Sequence, residues 1–166
     1  MATKKTISKK KTIKTRDTRS ADPALEVDSD VLDGYLGYHI RRAMQAMRRS
    51  FFQNVGSGTV RPGQASLLEL VARNPGASQV QMAEVLGFDK ATIVSLIDDS
   101  EAAGWITRQR SPVDRRRHEL VLTKVGEQFV TRMRKQTGAH EKSFRTRFTD
   151  AEMAQFVDYL QRVYRD

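Results

Sequence analysis

Five arginines, Arg108, Arg110, Arg115, Arg116 and Arg117, fall within ten positions of this chain, with Asp114 among them. Guanidinium groups on a narrow turn can grip phosphates bidentately, or enter a minor groove where the negative potential is deepest. The plainer reading of such a cluster is a solvated surface turn. A second group, Lys90, Thr92, Val94 and Ser95, combines a cation, two hydroxyls and a branched apolar side chain. Those types suit the edges of base pairs, with Val94 either against thymine methyl groups or packed away. Asp98, Asp99 and Glu101 follow closely, and carboxylates beside phosphates repel. Few strong base contacts are therefore expected from that end of the segment. A third group is Arg41, Arg42, Arg48 and Arg49, of which Arg41, Arg48 and Arg49 share one flank with Gln45 at helical spacing. Such a cluster can neutralise a carboxylate or several phosphates, or it can form a solvated face with ion pairs between subunits.

Other chemistry finds little support. The chain has no cysteine, which removes disulfides, thiolate metal sites and a thiol redox switch. His39, His118 and His140 stand apart, none with a partner at metal-ligand spacing, so no metal and no other cofactor is expected. No nucleophile–base pair and no phosphate-cradling glycine loop is present, so an enzyme is not expected. The basic N-terminus is not followed by an apolar segment and no run is long enough to span a bilayer, so the expectation is a soluble cytoplasmic protein without a membrane partner.

The 166 residues, 39% of them hydrophobic, suit one compact domain. The net charge of +9 is unevenly placed. Residues 1–19 carry eight basic side chains against Asp17 alone, a net of +7, which leaves +2 for the remainder. Any affinity for a polyanion must rest on where the body's charges sit, not on the total.

The elements that would position these groups can be read from periodicity. Residues 1–25 are polar and aperiodic, a flexible basic tail. From about Asp30, Leu32, Leu36, Ile40, Met44, Met47 and Phe51 recur at three- and four-residue spacing, predicting a helix to about Gln53. Pro62 suits a first helical turn ahead of Leu67, Leu68 and Val71, and Asn74-Pro75-Gly76 ends that helix. Ser78 with Gln81 forms a capping box for a short helix carrying Val80, Met82, Val85 and Leu86, which Gly87 closes. Asp89 caps the next helix, with Ile93, Leu96, Ile97 and Ala103 as its core contacts. Two helices joined by a short glycine-containing turn form a helix-turn-helix. Trp105–Arg110 and His118–Thr123 then alternate as strands about the turn Ser111-Pro112-Val113-Asp114. Thr123 caps a long helix to about Phe148 that carries Val125, Phe129, Val130, Met133 and Phe144. Thr149 with Glu152 opens a last helix presenting Met153, Phe156, Val157, Leu160 and Val163.

In this order the segments Pro75–Gln79, Met82–Gly87, Asp89–Thr92, Glu101–Ile106 and Ser111–Arg116, followed by Leu122-Thr123 and Gly126, resemble the MarR family of transcriptional regulators from about Asp30 to the C-terminus. The resemblance implies a mainly α fold with a small β-hairpin wing, a winged helix-turn-helix at 57–123. It also implies a helical dimerisation region built from 26–56 and 124–166. Apolar helices at both ends of the chain point independently to an interface between protomers. On the wing, Asp114 would orient Arg116 by that resemblance. The recognition helix departs from the family, which usually carries arginine at the position of Ser95 and often again at Asp99.

The expected function is that of a sequence-specific regulator, a homodimer on a pseudo-palindromic double-stranded DNA operator. The resemblance implies a repressor released by a small aromatic acid or its coenzyme A thioester, bound between the first helix and the winged motif. Tyr35, Tyr38, Met44 and Phe52 would offer contacts to the ring, while Arg41 and Arg48 would hold the anionic part. A sequence-indifferent DNA-coating protein is the alternative that the basic tail and acidic recognition helix would suit.

Overall fold

The computed structural model describes residues 30–55, 60–111 and 118–165. A 3-10 turn, Asp30–Leu32, precedes α1 (Leu36–Val55), α2 (Pro62–Arg73), α3 (Gln79–Leu86) and α4 (Lys90–Ala102). A hairpin of β1 (Ile106–Arg110) and β2 (His118–Leu122) follows, then α5 (Lys124–Arg145) and α6 (Asp150–Tyr164). This is the mainly helical winged architecture anticipated from the sequence.

The helix starts follow local chemistry. Ser78 and Gln81 make the reciprocal box at α3, and Thr149 and Glu152 repeat it at α6. The Asp89 carboxylate accepts from the Thr92 backbone N–H at 2.8 Å, and the Thr123 hydroxyl accepts from that of Gly126 at 3.0 Å. Pro62 begins α2, where its missing N–H costs nothing. The first helix starts later than its apolar pattern suggests. Residues near Asp30 make a 3-10 turn, closed by the Tyr35 N–H on the Leu32 carbonyl at 3.0 Å, and the α-helix follows only after Gly34. Glycine there removes a side chain and raises the cost of helical backbone.

The core centres on α2 and α4. Leu67, Leu68, Val71, Ile93 and Ile97 are almost wholly buried, and Ile106, Leu120, Val130 and Met133 close the cluster from the hairpin and α5. Antiparallel pairing places Ile106 opposite Leu122 and Arg110 opposite His118. Leu120 of β2 also exchanges backbone hydrogen bonds at 3.0 Å with Gly76 and Ala77, which ties the hairpin to the end of α2. Gly126 has a strict steric role. A Cβ there would lie 1.9 Å from the Trp105 carbonyl oxygen, so only glycine lets α5 start this close to the hairpin. Trp105 stacks on Phe129 at 4.0 Å just beyond that contact.

Several expected core positions are not core. Val80 and Val85 are exposed, because an eight-residue helix lying on the surface buries one narrow face, here Met82 with Ala83 and Leu86 beside it. Ala103 is exposed at the C-cap of α4, and Val125 is exposed in the first turn of α5. Along α1, Leu36 and Met44 are also exposed, and only Phe51 and Val55 are buried. α6 buries no residue, although Phe156 stacks on Phe148 at 5.6 Å.

Candidate nucleic-acid interface and cavity

Asp89 fixes the start of α4. Besides the Thr92 N–H, its carboxylate accepts from the Thr92 hydroxyl at 2.8 Å, and these bonds hold the Asp89 carboxyl below the usual carboxylate range. Thr92 therefore spends its hydroxyl on the cap. Of the expected base-reading residues, Lys90 and Ser95 are exposed, whereas Val94 is half-buried against the core. Ala91, Ser95, Asp98 and Ala102 form an exposed row at three- and four-residue spacing. Ala91 was not among the residues singled out from sequence, and its spacing from Ser95 is the signal that could have found it.

The acids of α4 are not free. Arg108 pairs with both Asp98 and Glu101, and its backbone N–H also donates to Glu101 at 3.2 Å. Burial acts to lower the Arg108 pKa, but the bonds and charges of the two carboxylates outweigh it and raise the value. Arg61, ahead of α2, pairs with Asp99. The repulsion expected from three carboxylates is thus largely offset within the protein. The same geometry redirects Arg108: its guanidinium lies on α4, although its place on the entering strand had suggested a grip on phosphates. Arg110, one pleat further on, is exposed and has no ion pair among the described residues. Asp114, Arg115, Arg116 and Arg117 lie outside the described residues, as does the basic tail.

A second feature is a broad cavity of about 1150 Å³ between α1, α2, the turn into α4, and α5. That exceeds the few hundred Å³ a single small ring fills. Arg41, Met44, Arg48 and Phe52 line it, as expected, whereas Tyr35 and Tyr38 do not. Both tyrosines sit in or before the first turn of α1, off the flank that α5 covers. Tyr38 instead accepts a hydrogen bond from Arg42 at 2.8 Å, and Arg41 lies 5.8 Å from its ring centre. Arg48 sits 5.6 Å over Phe52. Arg41 and Arg48 are exposed, so the positive charge lies where the cavity meets solvent.

The other walls bring unexpected residues together. Pro62, Gly63 and Ser66 of α2 face the cavity, as do Thr92 and Leu96 of α4. An occupant would therefore touch the same helix that presents Lys90 and Ser95. From α5 come Met133, Thr137 and His140. His140 is buried, with its Nδ1 3.1 Å from the Ser50 hydroxyl. Sequence gave no signal for it beyond an isolated histidine. Among the described residues, no three of His, Cys, Asp or Glu converge as metal ligands do, and no helix is long and apolar enough to cross a membrane.

Comparison with known proteins places this geometry. A model of the MarR family matches residues 59–117. The chain is 35% identical over 133 residues, 80% of each protein, to a protein of Thauera aromatica assigned as a transcriptional regulator of the hcr operon. Its fold superposes with a TM-score of 0.77 on the transcriptional repressor CouR bound to a 23-mer DNA duplex, at 30% identity over 84% of this chain and 99% of that one. CouR bound to p-coumaroyl-CoA gives a TM-score of 0.76 at 28% identity, covering 85% and 99%. The PcaV regulator of Streptomyces coelicolor in complex with its natural ligand gives 0.75 at 28% identity, covering 82% and 94%. With a winged helix-turn-helix in place and relatives alike over most of its length, the chain belongs to the MarR family of transcriptional regulators.

Proposed function

We propose that this regulator is a repressor that binds a pseudo-palindromic operator as a homodimer and leaves it when an aromatic effector, carried as its coenzyme A thioester, fills the cavity. One observation carries the reading: the cavity joins an arginine-bearing mouth to a wall formed by α4 itself. An anionic head held at Arg41 and Arg48 would place an aromatic group among Met44, Phe52, Thr92 and Leu96. Occupancy that favours one placement of α4 over another lowers DNA affinity by the ratio of effector affinities for the two placements. CouR, solved both on a DNA duplex and with p-coumaroyl-CoA, supports the same division of labour by likeness.

In this reading residues 57–123 bind DNA, and 26–56 with 124–166 dimerise. Lys90 and Ser95 approach base edges, and Arg110 with the wing arginines Arg115, Arg116 and Arg117 approaches the backbone or the minor groove. Arg108 acts indirectly, by neutralising Asp98 and Glu101.

The test is fluorescence anisotropy with the DNA upstream of the chain's own gene, against unrelated duplex at physiological salt. Specific binding should exceed non-specific binding by about 1,000-fold or more. Arg116→Ala should weaken it by about 1–3 kcal/mol. An aryl-coenzyme A thioester should release the complex, and Arg41→Ala with Arg48→Ala should blunt that release. Equal affinity for both duplexes would instead mark a sequence-indifferent DNA-coating protein.

A further inference from the structure

Within the effector reading above, on which this step rests, we infer that His140 reads an oxygen substituent on the effector's aromatic ring, making the protein selective for hydroxylated aryl thioesters. The side chain is 5% exposed, yet it lines the cavity. Three neighbours fix the ring. Ser50 holds Nδ1 at 3.1 Å, and the rings of Phe51 and Phe144 meet it edge-on at 5.6 and 5.4 Å. Nε2 has no partner among the described residues, and there no fully buried side-chain nitrogen or oxygen lacks one. Nε2 is therefore not sealed in the packing, and in the proposed role it turns to the cavity that the side chain lines.

Hydrogen-bond accounting sets the role of that nitrogen. The Ser50 hydroxyl oxygen accepts from Asn54 Nδ2 at 3.3 Å, and its own hydrogen has no acceptor among the described residues other than His140 Nδ1. With Ser50 donating to Nδ1, the proton stays on Nε2, and in the proposed role that donor serves the cavity. The cavity wall around His140 is mixed, with Phe51 against its ring and Thr137 and Glu141 beside it on α5. A ring that brings an oxygen to this place satisfies Nε2–H. A ring that brings only C–H displaces water and leaves the donor unpaired, and discrimination arises from that difference.

Arg41 at the mouth and Ser50 beside His140 are separated along α1 by about 13 Å of helix axis. An aryl acyl thioester laid along that wall would bring its ring substituent to His140 and run its carrier out towards Arg41.

Calorimetry on the intact dimer separates these cases, with benzoyl-coenzyme A against 4-hydroxybenzoyl-coenzyme A, and cinnamoyl-coenzyme A against p-coumaroyl-coenzyme A. The wild type should prefer the hydroxylated member of at least one pair by about tenfold or more. His140→Phe should reduce that preference to within about threefold, read as the ratio of the two affinities within each pair and not as the affinity for the parent thioester. His140→Gln, which keeps a donor near the Nε2 position and guards against a folding defect in the phenylalanine variant, should retain part of it. Equal binding of both members by the wild type, or a preference that survives in His140→Phe, overturns the assignment. Failure of all four thioesters to bind overturns the thioester reading itself, and this inference with it.

Discussion

The winged body and the helical ends of this chain use apolar residues in opposite ways. Between Val60 and Leu122 the apolar side chains largely pack on one another, and Leu67, Leu68, Ile93, Ile97, Ile106 and Leu120 are all but inaccessible. Along α6, by contrast, Phe156, Val157, Tyr159, Val163 and Tyr164 are all exposed, and on α1 Leu36 and Met44 are too. The apolar stripes are more sharply one-sided on α1 and α6 than on α3 and α4 of the body. The body completes its fold within one chain, whereas the ends are patterned for a surface that one chain does not supply. A second copy is what the proposed homodimer would bring there.

The largest test of that contrast lies at the seam between the two regions. Gly126→Ala would drive a methyl group into the Trp105 carbonyl, a backbone atom that cannot move aside. Loss of stability should reach about 4 kcal/mol or more, read by chemical denaturation. A variant of near wild-type stability would mean that the body does not depend on this close approach. The next test concerns the ends. Phe156→Glu combined with Val163→Glu should raise the dimer dissociation constant at least about tenfold in sedimentation, because two charges would enter an apolar interface. The circular dichroism of the chain should change little. Unchanged association would remove α6 from the dimer, and unfolding would show that α6 completes the monomer after all. The smallest effect belongs to the surface of the body. Arg61 and Asp99 are about half exposed, so a double-mutant cycle with alanine should return only about 0.2–1 kcal/mol of coupling, falling with added salt. A larger value would show that the acids of α4 are integral to the fold.

What sequence disclosed, and what it concealed, follows the range of the interactions involved. Caps at Ser78, Asp89, Thr123 and Thr149 join residues three apart, and each was legible because its partner is local. The same holds for the hairpin strands and for the order of elements. The cavity was half legible. Helical spacing put Arg41, Met44, Arg48 and Phe52 near one flank of α1, but how α5 lies across that helix decided that Tyr35 and Tyr38 fall outside. Arg108 read as a free cation on a strand, because Asp98 and Glu101 reach it from another element ten and seven residues earlier. His140 was illegible for the strongest version of this reason, since its partner Ser50 is 90 residues away.

A buried amide in the body has a mechanical consequence. Gln64 Nε2 donates to the Ser100 hydroxyl at 3.1 Å, and that hydroxyl donates to the Leu96 carbonyl at 2.7 Å, both out of reach of water. The residues on either side of Gln64, Gly63 and Ala65, line the cavity. The strut ties the first turn of α2 to the last turns of α4, so in the proposed switch a push on the cavity wall would tilt α4 rather than bend it. α4 is a rod of about 20 Å, and a tilt of about 5° would carry one end through roughly 2 Å. Hydrogen bonds tolerate only about 0.5 Å of variation in length. On the proposed reading, an effector that never touches DNA would need no larger motion than this to take Lys90 and Ser95 out of register with the groove.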